Sequence, residues 1–271
     1  MSKSKRAFSR RGGDILGHKI AMISALGGQG CTLAAAGIGV ASAALGRRVT
    51  LLDLCGFGGT LAHVLSVGED AVMNLGDVLA GDCDAEDALL DCGEGLRLLP
   101  APVFSGTATD PCAVEVRRLV ERFSRETDVM VDWPSGVVPD CGAAGCFDVF
   151  VICACADRLS LQFAAALRRQ IKRAAEDSCR ACETRLLMTR FSPESLREGG
   201  VADLDECIDT VGARLLGVIP FDAAVSRCVK TGMPPDRDGE AMRYCRDAAR
   251  RLWGEKVPLD AKPSLTNPFG R

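Results

Sequence analysis

The chain has 271 residues, enough for one large α/β domain or two small ones. Apolar residues make up 47% and aromatic residues 5%, so we expect a core built mainly from Ala, Leu and Val. The net charge of −3 argues against a nucleic-acid-binding surface that covers the whole molecule. The 14 cysteines are mostly spread singly through apolar segments, which is typical of reduced thiols in a cytosolic protein.

Residues 1–17 are predicted to be a disordered basic arm. A basic start before apolar residues imitates a signal peptide, but glycines 27, 28 and 30 interrupt the apolar part. The apolar run from Thr32 to Leu45 is too short to span a bilayer. We therefore expect a cytoplasmic protein.

A glycine-rich turn follows the first predicted strand. An apolar run that begins at Lys19 meets three glycines within four residues, and an Ala-rich run of helix length follows from Thr32. A strand, a glycine turn and a helix N-terminus together direct backbone N–H groups at a phosphate. The P-loop spelling G-x-x-x-x-G-K-[ST] is only partly met, because Cys31 occupies the lysine position. Packing alone is the alternative explanation of such a turn.

Strand and helix patterns alternate along the rest of the chain. Further strands are predicted at Val49–Asp53, Leu96–Pro100, Asp128–Asp132, Phe147–Ala154, Thr184–Met188 and Leu215–Ile219. Helices are predicted at Leu61–Leu65, Leu75–Leu79, Ala85–Leu90, Ala113–Phe123, Leu159–Ala175, Val201–Val211 and Ala241–Trp253. This alternation predicts an α/β fold with a doubly wound, mostly parallel sheet and helices on both faces. We expect a single domain over residues 18–258 and a flexible tail over 259–271.

Two of the predicted strands end in a carboxylate, at Asp53 and at Asp132. Ligands of open parallel sheets bind at the carboxyl edge of the strands, so both side chains are candidate site residues. An Asp that only serves the turn after its strand is the alternative.

The loop spelling is closer to K-G-G-x-G-K-[ST], which resembles the MinD/ParA family of P-loop ATPases. Later segments resemble MinD in order and spacing, namely Asn74–Asp82, Leu96–Ala101, Leu215–Asp222 and Tyr244–Pro258. The similarity covers about residues 18–258. It implies the P-loop NTPase fold of that family, and ATP or ADP with Mg²⁺ as the cofactor.

The resemblance implies roles for individual residues. Thr32 matches the hydroxyl that ligates Mg²⁺, although the same hydroxyl could serve as a helix N-cap. Asp132 matches the carboxylate of the Walker B strand. Asp53 matches the first carboxylate of a D-x-D motif, which makes it a metal-site residue and the one catalytic candidate. The implied nucleotide-binding residues are Gly27, Gly28, Gln29, Gly30, Cys31, Thr32, Leu33, Thr189, Arg190, Pro220, Phe221 and Asp222.

Several residues depart from the family pattern. Leu26 and Cys31 replace two loop lysines, Cys55 replaces the carboxylate that orients water, and Thr189 replaces an Asn. Hydrogen bonds to charged groups contribute about 1.5–3 kcal/mol, so the loss at Cys31 should weaken triphosphate binding roughly ten- to a hundredfold. No basic residue near these positions in the sequence replaces the lost charge. We therefore expect weak nucleotide binding and degraded or absent hydrolysis.

These observations favour a nucleotide-binding protein for spatial positioning, in cell division, chromosome partition or pilus-machinery localisation of the CpaE/TadZ kind. Two alternatives stay open: an active ATPase with an unorthodox P-loop, and a scaffold that binds no nucleotide. We expect protein partners and no specific nucleic acid. A homodimer remains open, but an ATP-gated dimer is not expected because Leu26 cannot reach a partner's phosphates.

Two further features are assigned no function. The pair Cys179 and Cys182 has the spacing of an iron–sulfur ligand pair, yet reduced thiols are the favoured interpretation. Membrane attachment through a C-terminal amphipathic helix is not expected, because Pro263 and Pro268 would break that helix.

Overall fold

An eight-stranded sheet runs through the centre of the protein. A computed structural model describes residues 16–55, 60–102, 112–231, 236 and 238–259. The sheet order is β3-β4-β2-β5-β1-β6-β7-β8. The strands are β1 Lys19–Ser24, β2 Val49–Asp53, β3 Leu90–Asp91, β4 Leu96–Leu99, β5 Asp128–Asp132, β6 Val149–Ala154, β7 Glu183–Phe191 and β8 Arg214–Pro220. Every neighbouring pair is parallel except β3 and β4, which confirms the mostly parallel sheet.

Helices cover both faces of this sheet. They are α1 Cys31–Ala44, α2 Thr60–Val64, α3 Leu75–Ala80, α4 Ala113–Phe123, α5 Cys141–Ala144, α6 Arg158–Asp177, α7 Pro193–Glu198, α8 Leu204–Val211, α9 Ala223–Thr231 and α10 Glu240–Leu252. Side chains of α1, α2 and α10 pack on one face, and those of α4, α5, α6 and α8 on the other. No helix within the described ranges is long and apolar enough to cross a bilayer.

The side chains of β1 show why the sheet has two cores. Ala21 and Ile23 belong to the apolar cluster on one face, whereas Ile20 and Met22 belong to the cluster on the other. Successive side chains of a strand point to opposite faces, so a central strand covered on both sides must be apolar throughout. The doubly wound arrangement is confirmed.

One predicted helix is wrong. Residues 85–88 form turns, and Leu90 belongs to β3, so there is no helix over Ala85–Leu90. The hairpin that joins β3 to β4 explains this, because Gly93 and Gly95 both have positive φ and let the chain reverse there. Pairing of Leu90 with Leu98 at the edge of the sheet leaves too few residues for a helix.

Other predicted elements are present with shifted ends. Helix α8 begins at Leu204, because the Asp203 side chain caps it by accepting a hydrogen bond from Glu206 N. Strand β7 continues to Phe191, and strand β6 begins at Val149. Helix α9 was not predicted at all. The predicted arm over 1–17 and tail over 259–271 lie almost wholly outside the described residues, and the loop predicted after Cys55 lies partly outside them.

Small residues bring α1 close to α10. A Cβ added at Gly37 would lie 2.6 Å from Cys245 Sγ and 3.3 Å from Cys245 Cβ. Cys245 is itself buried, so its thiol has little room to move away. Gly37 therefore sets how closely the two helices approach.

We expect Gly37→Ala to destabilise the protein by about 1–2 kcal/mol, since overpacking outweighs the gain in helix propensity. The measurement is urea unfolding of Gly37→Ala, Cys245→Ala and the double variant. In the double variant the clash is gone, so its stability should exceed that of Gly37→Ala. Additive effects of the two substitutions would show that the close contact is not the cause.

Candidate functional site

The turn between β1 and α1 has the backbone of an anion-binding loop. Gly28 and Gly30 have φ of +75° and +77°, and Gly30 is the N-cap of α1. L-residues with side chains rarely adopt this backbone region, so the two glycines permit the turn. No side chain caps the helix, which leaves its N-terminus facing the cavity described below. Thr32 therefore does not serve as the N-cap.

Residues from the far half of the chain hold this loop in place. The Gln29 side-chain oxygen accepts hydrogen bonds from Cys155 N at 2.6 Å and from Ser160 Oγ at 2.7 Å. The Gln29 carbonyl oxygen accepts a hydrogen bond from Thr189 Oγ1 at 2.5 Å. The Gln29 side-chain oxygen thus points inward, toward the end of β6 and the start of α6.

A cavity of about 450 Å³ opens beside the loop. Its wall includes most of the predicted nucleotide-binding residues, namely Gly28, Gln29, Gly30, Cys31, Thr32, Leu33, Thr189, Arg190, Pro220, Phe221 and Asp222. Gly27 is exposed but does not line it. The structure thus brings together segments that lie some 190 residues apart in the sequence. The volume lies in the range of small-molecule sites.

Arg190 and Phe221 line the cavity from the carboxyl ends of β7 and β8. The Arg190 guanidinium lies 5.8 Å from the centre of the Phe221 ring, and that ring is 53% exposed. Arg190 Nη1 also donates a hydrogen bond to Gly28 O at 3.0 Å. A basic group therefore lies directly against the glycine loop, which the local sequence did not indicate.

Asp222 caps a helix, whereas Lys230 lies in the cavity wall. The Asp222 carboxylate accepts hydrogen bonds from Ala224 N and Val225 N, so it caps α9. Lys230, in the last turn of that helix, is a second basic residue in the cavity wall. Sequence reasoning missed it because α9 was missed, although an Asp before an amphipathic run was the available signal.

Cys31 does not replace the lysine of a P-loop. Its side chain is only 6% exposed and forms a hydrogen bond with Cys153. That contact and burial raise the pKa of the Cys31 thiol well above its usual value, so the thiol is neutral. The side chain thus faces the core and brings no charge to the loop.

Two buried carboxylates lie below the loop. Asp53 and Asp132 are partners in the register of β2 and β5, and both are fully buried. Asp53 accepts hydrogen bonds from Cys55 N and Leu61 N. Asp132 Oδ2 accepts a weak hydrogen bond from Cys55 Sγ at 3.4 Å, whereas Asp132 Oδ1 has no hydrogen-bond partner.

Burial dominates the titration of this pair. Burial raises the pKa of Asp53 above its usual value. Burial, and then the charge of Asp53, raises the pKa of Asp132 to about 7, while hydrogen bonds from Thr32, Cys55 and Cys31 lower it. Burial and the two carboxylates also raise the pKa of the Cys55 thiol.

A Mg²⁺ ion fits the oxygen donors present here. Asp132 Oδ1 is buried without a partner, and the hydroxyl of Thr32 lies beside that carboxylate. Hydroxyl and carboxylate oxygens are ligands that Mg²⁺ prefers. Cys55, in contrast, offers sulfur where the family places a carboxylate.

The pair Cys179 and Cys182 lies between α6 and β7, at the opposite edge of the sheet from the loop. Cys179 is exposed and Cys182 half-buried. Among the described residues, three potential metal ligands come close together only at Asp53, Cys55 and Asp132. Cys179 and Cys182 do not belong to that group.

We expect Asp132→Asn to change how stability depends on pH. Because the folded-state pKa of Asp132 is raised, the native protein binds more protons than the unfolded chain between about pH 4 and 7. Its stability therefore falls as pH rises through that window, by up to about 4 kcal/mol. In urea unfolding with EDTA, the Asn variant should lose less stability over the same window. Parallel curves for the two proteins would contradict the raised pKa.

Comparisons with known proteins agree with this geometry. Residues 20–235 match the CobQ/CobB/MinD/ParA nucleotide binding domain. The septum site-determining protein MinD of Bacillus subtilis is 28% identical over 252 residues, which cover 90% of this chain and 92% of that protein. The MinC:MinD cell division protein complex of Aquifex aeolicus superposes with a TM-score of 0.75 at 26% identity, and covers 89% of this chain and 98% of the other.

A third comparison adds a ligand-bound relative. MinD of Pyrococcus horikoshii, solved as a complex with Mg-ADP, has a TM-score of 0.75 at 21% identity and covers 87% of this chain and 95% of its own. At 21% identity, this structural similarity shows that the two chains share a fold. The family match spans most of the sequence, and it confirms the resemblance inferred from the motifs. The chain belongs to the CobQ/CobB/MinD/ParA nucleotide-binding family.

Proposed function

We propose that this protein binds ATP or ADP with Mg²⁺ at the glycine loop and acts in spatial positioning, with degraded or absent hydrolysis. The observation that carries the proposal is the combination at the loop: the backbone that receives phosphates is intact, while Cys31 is turned into the core. Binding and turnover depend on different groups, so one can persist without the other.

Backbone groups would provide most of the phosphate recognition. The N–H groups at the start of α1 carry the positive end of the helix dipole and need no side-chain charge. Thr32 and Asp132 would hold Mg²⁺, which neutralises charge between the phosphates when it is bound. Phe221 offers an exposed ring for the base, and Arg190 offers a cation between that ring and the loop.

Hydrolysis lacks three groups that the family supplies. Cys31 brings no charge to the transferred phosphate, and Leu26 is an apolar, half-buried residue with no charge for a partner subunit. Cys55 replaces the second carboxylate, and its thiol donates to Asp132 rather than accepting a proton from water. A positioned charge of this kind is worth about 10³–10⁵ in rate in GTPases.

The active-ATPase alternative has one observation in its favour. The Arg190 guanidinium donates a hydrogen bond to Gly28 O, which places this cation against the loop. Arginine binds phosphate oxygens in a bidentate way, so it could replace part of the missing charge. The scaffold alternative has no comparable support, because the cavity beside the loop is open.

Protein partners are the expected mode of action. A MinD chain forms a complex with MinC in a solved relative, and we propose that this chain also acts through protein contacts. Division, chromosome partition and pilus localisation are the cellular settings that the family resemblance offers.

We expect Arg190→Ala to weaken ADP–Mg²⁺ and ATP–Mg²⁺ binding about tenfold or more, since a charged hydrogen-bond donor at the loop is lost. Isothermal titration calorimetry of the two nucleotides, with and without Mg²⁺, measures this. Arg214→Ala is the matched control, because Arg214 is an exposed arginine at the start of β8 and far from the cavity.

If the unmodified protein binds nucleotide and Arg190→Ala binds it equally tightly, the nucleotide does not lie in the proposed position. If neither nucleotide binds at millimolar concentration, the scaffold alternative replaces the proposal.

A further inference from the structure

We propose that Asp53, Cys55 and Asp132 form a binding site for one thiophilic divalent cation, Zn²⁺, which the protein holds without nucleotide. One sulfur and two carboxylate groups offer ligand atoms that all lie within 4.8 Å of one another. The site lies at the carboxyl ends of β2 and β5, below the glycine loop. The inference goes beyond the proposed function and does not depend on it, although the site shares Asp132 with the position proposed there for Mg²⁺.

The charge of this cluster favours a bound cation. Asp53 and Asp132 are both fully buried and adjacent across two parallel strands. The ion pairs found among the placed residues include neither of them. Two buried carboxylates without a cation repel each other and lose their hydration, so a divalent ion would relieve both costs.

One oxygen atom of the cluster has no hydrogen-bond partner. Asp132 Oδ1 is buried and accepts no hydrogen bond, although such atoms are nearly always satisfied in folded proteins. It belongs to the same carboxylate that contacts Cys55 Sγ through Oδ2 at 3.4 Å. A cation bound by both oxygens of this carboxylate would give Oδ1 a partner while staying next to Cys55 Sγ.

The sulfur and oxygen donors of the cluster suit Zn²⁺. Zn²⁺ binds sulfur at about 2.3 Å and carboxylate oxygen at about 2.0–2.2 Å, which places tetrahedral donors roughly 3.3–3.8 Å apart. The distance of 3.4 Å between Cys55 Sγ and Asp132 Oδ2 already lies in that range, and the remaining separations, which are at most 4.8 Å, need to contract by up to about 1.5 Å. Thiolate sulfur favours Zn²⁺ over Mg²⁺. On binding, the Cys55 thiol gives its proton to solvent and the sulfur becomes the ligand.

Cys55 supplies the sulfur in this group of ligand atoms, which among the described residues does not include Cys31. Cys31 is buried, and its thiol contacts Cys153. A thiolate-to-metal band would therefore report on Cys55. A cation held there would restore positive charge near the loop that lost its lysine.

The test must first remove the other cysteine pair that could capture metal. Cys179 and Cys182 have a chelating spacing and are partly accessible, so the parent protein for the experiment is Cys179→Ser/Cys182→Ser. The full chain in this background is stripped with EDTA and titrated with Zn²⁺, and then with Co²⁺, in the absence of nucleotide. Bound metal is counted by mass spectrometry, and thiolate ligation is read from the sulfur-to-cobalt charge-transfer band.

We expect one equivalent of Zn²⁺ per chain, a charge-transfer band with Co²⁺, and a higher Tm of the Zn²⁺-loaded protein. Cys55→Ser should abolish the band and weaken Zn²⁺ binding more than about tenfold. Mutating a residue that only contacts a metal ligand already lowers metal affinity about 10–100-fold. Cys141→Ser is the matched control, because Cys141 is exposed and lies in α5, so metal binding should be unchanged.

Unfolding of Cys55→Ser in EDTA checks that its fold is intact, because the metal-free variant and the metal-free parent should have similar Tm values. Zn²⁺ should then raise the Tm of the parent only. The proposal is overturned if the parent retains no Zn²⁺, or if Cys55→Ser keeps the charge-transfer band. Zn²⁺ that binds only together with ATP would also overturn it, and would leave the proposed nucleotide site in place.

Discussion

The site depends on how the loop between β1 and α1 is held. Gln29 is the central residue, because its side chain and its carbonyl together accept hydrogen bonds from Cys155, Ser160 and Thr189. These donors lie just after β6, in β7 and in α6, so the loop is tied to the C-terminal half of the sheet. Its backbone N–H groups are thereby oriented before any ligand arrives.

This arrangement explains how the chain can keep a phosphate-binding loop while losing the side chains that usually act there. The position of the backbone is fixed by Gly28, Gly30 and Gln29, and none of these contacts involves a lysine. Charge at the loop is a separate property, which Arg190 now provides from β7. The residues at positions 26, 31 and 55 are therefore compatible with the fold of the site, and their proposed effects are on turnover and metal preference.

Much of the fold followed from the sequence, and the reasons are local. Buried strands such as Asp128–Asp132 are continuous apolar runs, and both Asp53 and Asp132 lie at the carboxyl edge because each ends a parallel strand. The helix predicted over Ala85–Leu90 is wrong because a distant pairing with β4 decides that segment. Patterns within a few residues cannot reveal such pairing.

The finer features of the site were not accessible from the sequence for the same reason. The contact between Cys31 and Cys153 and the inward turn of Gln29 each join residues more than a hundred positions apart. The raised pKa of Asp132 depends on burial and on Asp53, which lies in another strand. The position of Arg190 on the loop is equally a product of the tertiary fold. The sequence showed which expected residues were missing, whereas the structure shows what lies in their place.

The measurement that tests the central claim most directly is ATP turnover by the unmodified chain and by the variant Leu26→Lys/Cys31→Lys/Cys55→Asp, at saturating ATP–Mg²⁺. The account predicts negligible turnover by the unmodified chain and a clear gain in the variant, with a folded fraction matched by thermal unfolding. Turnover by the unmodified chain that equals or exceeds that of the variant would contradict it, and would establish an active ATPase with Arg190 at its loop.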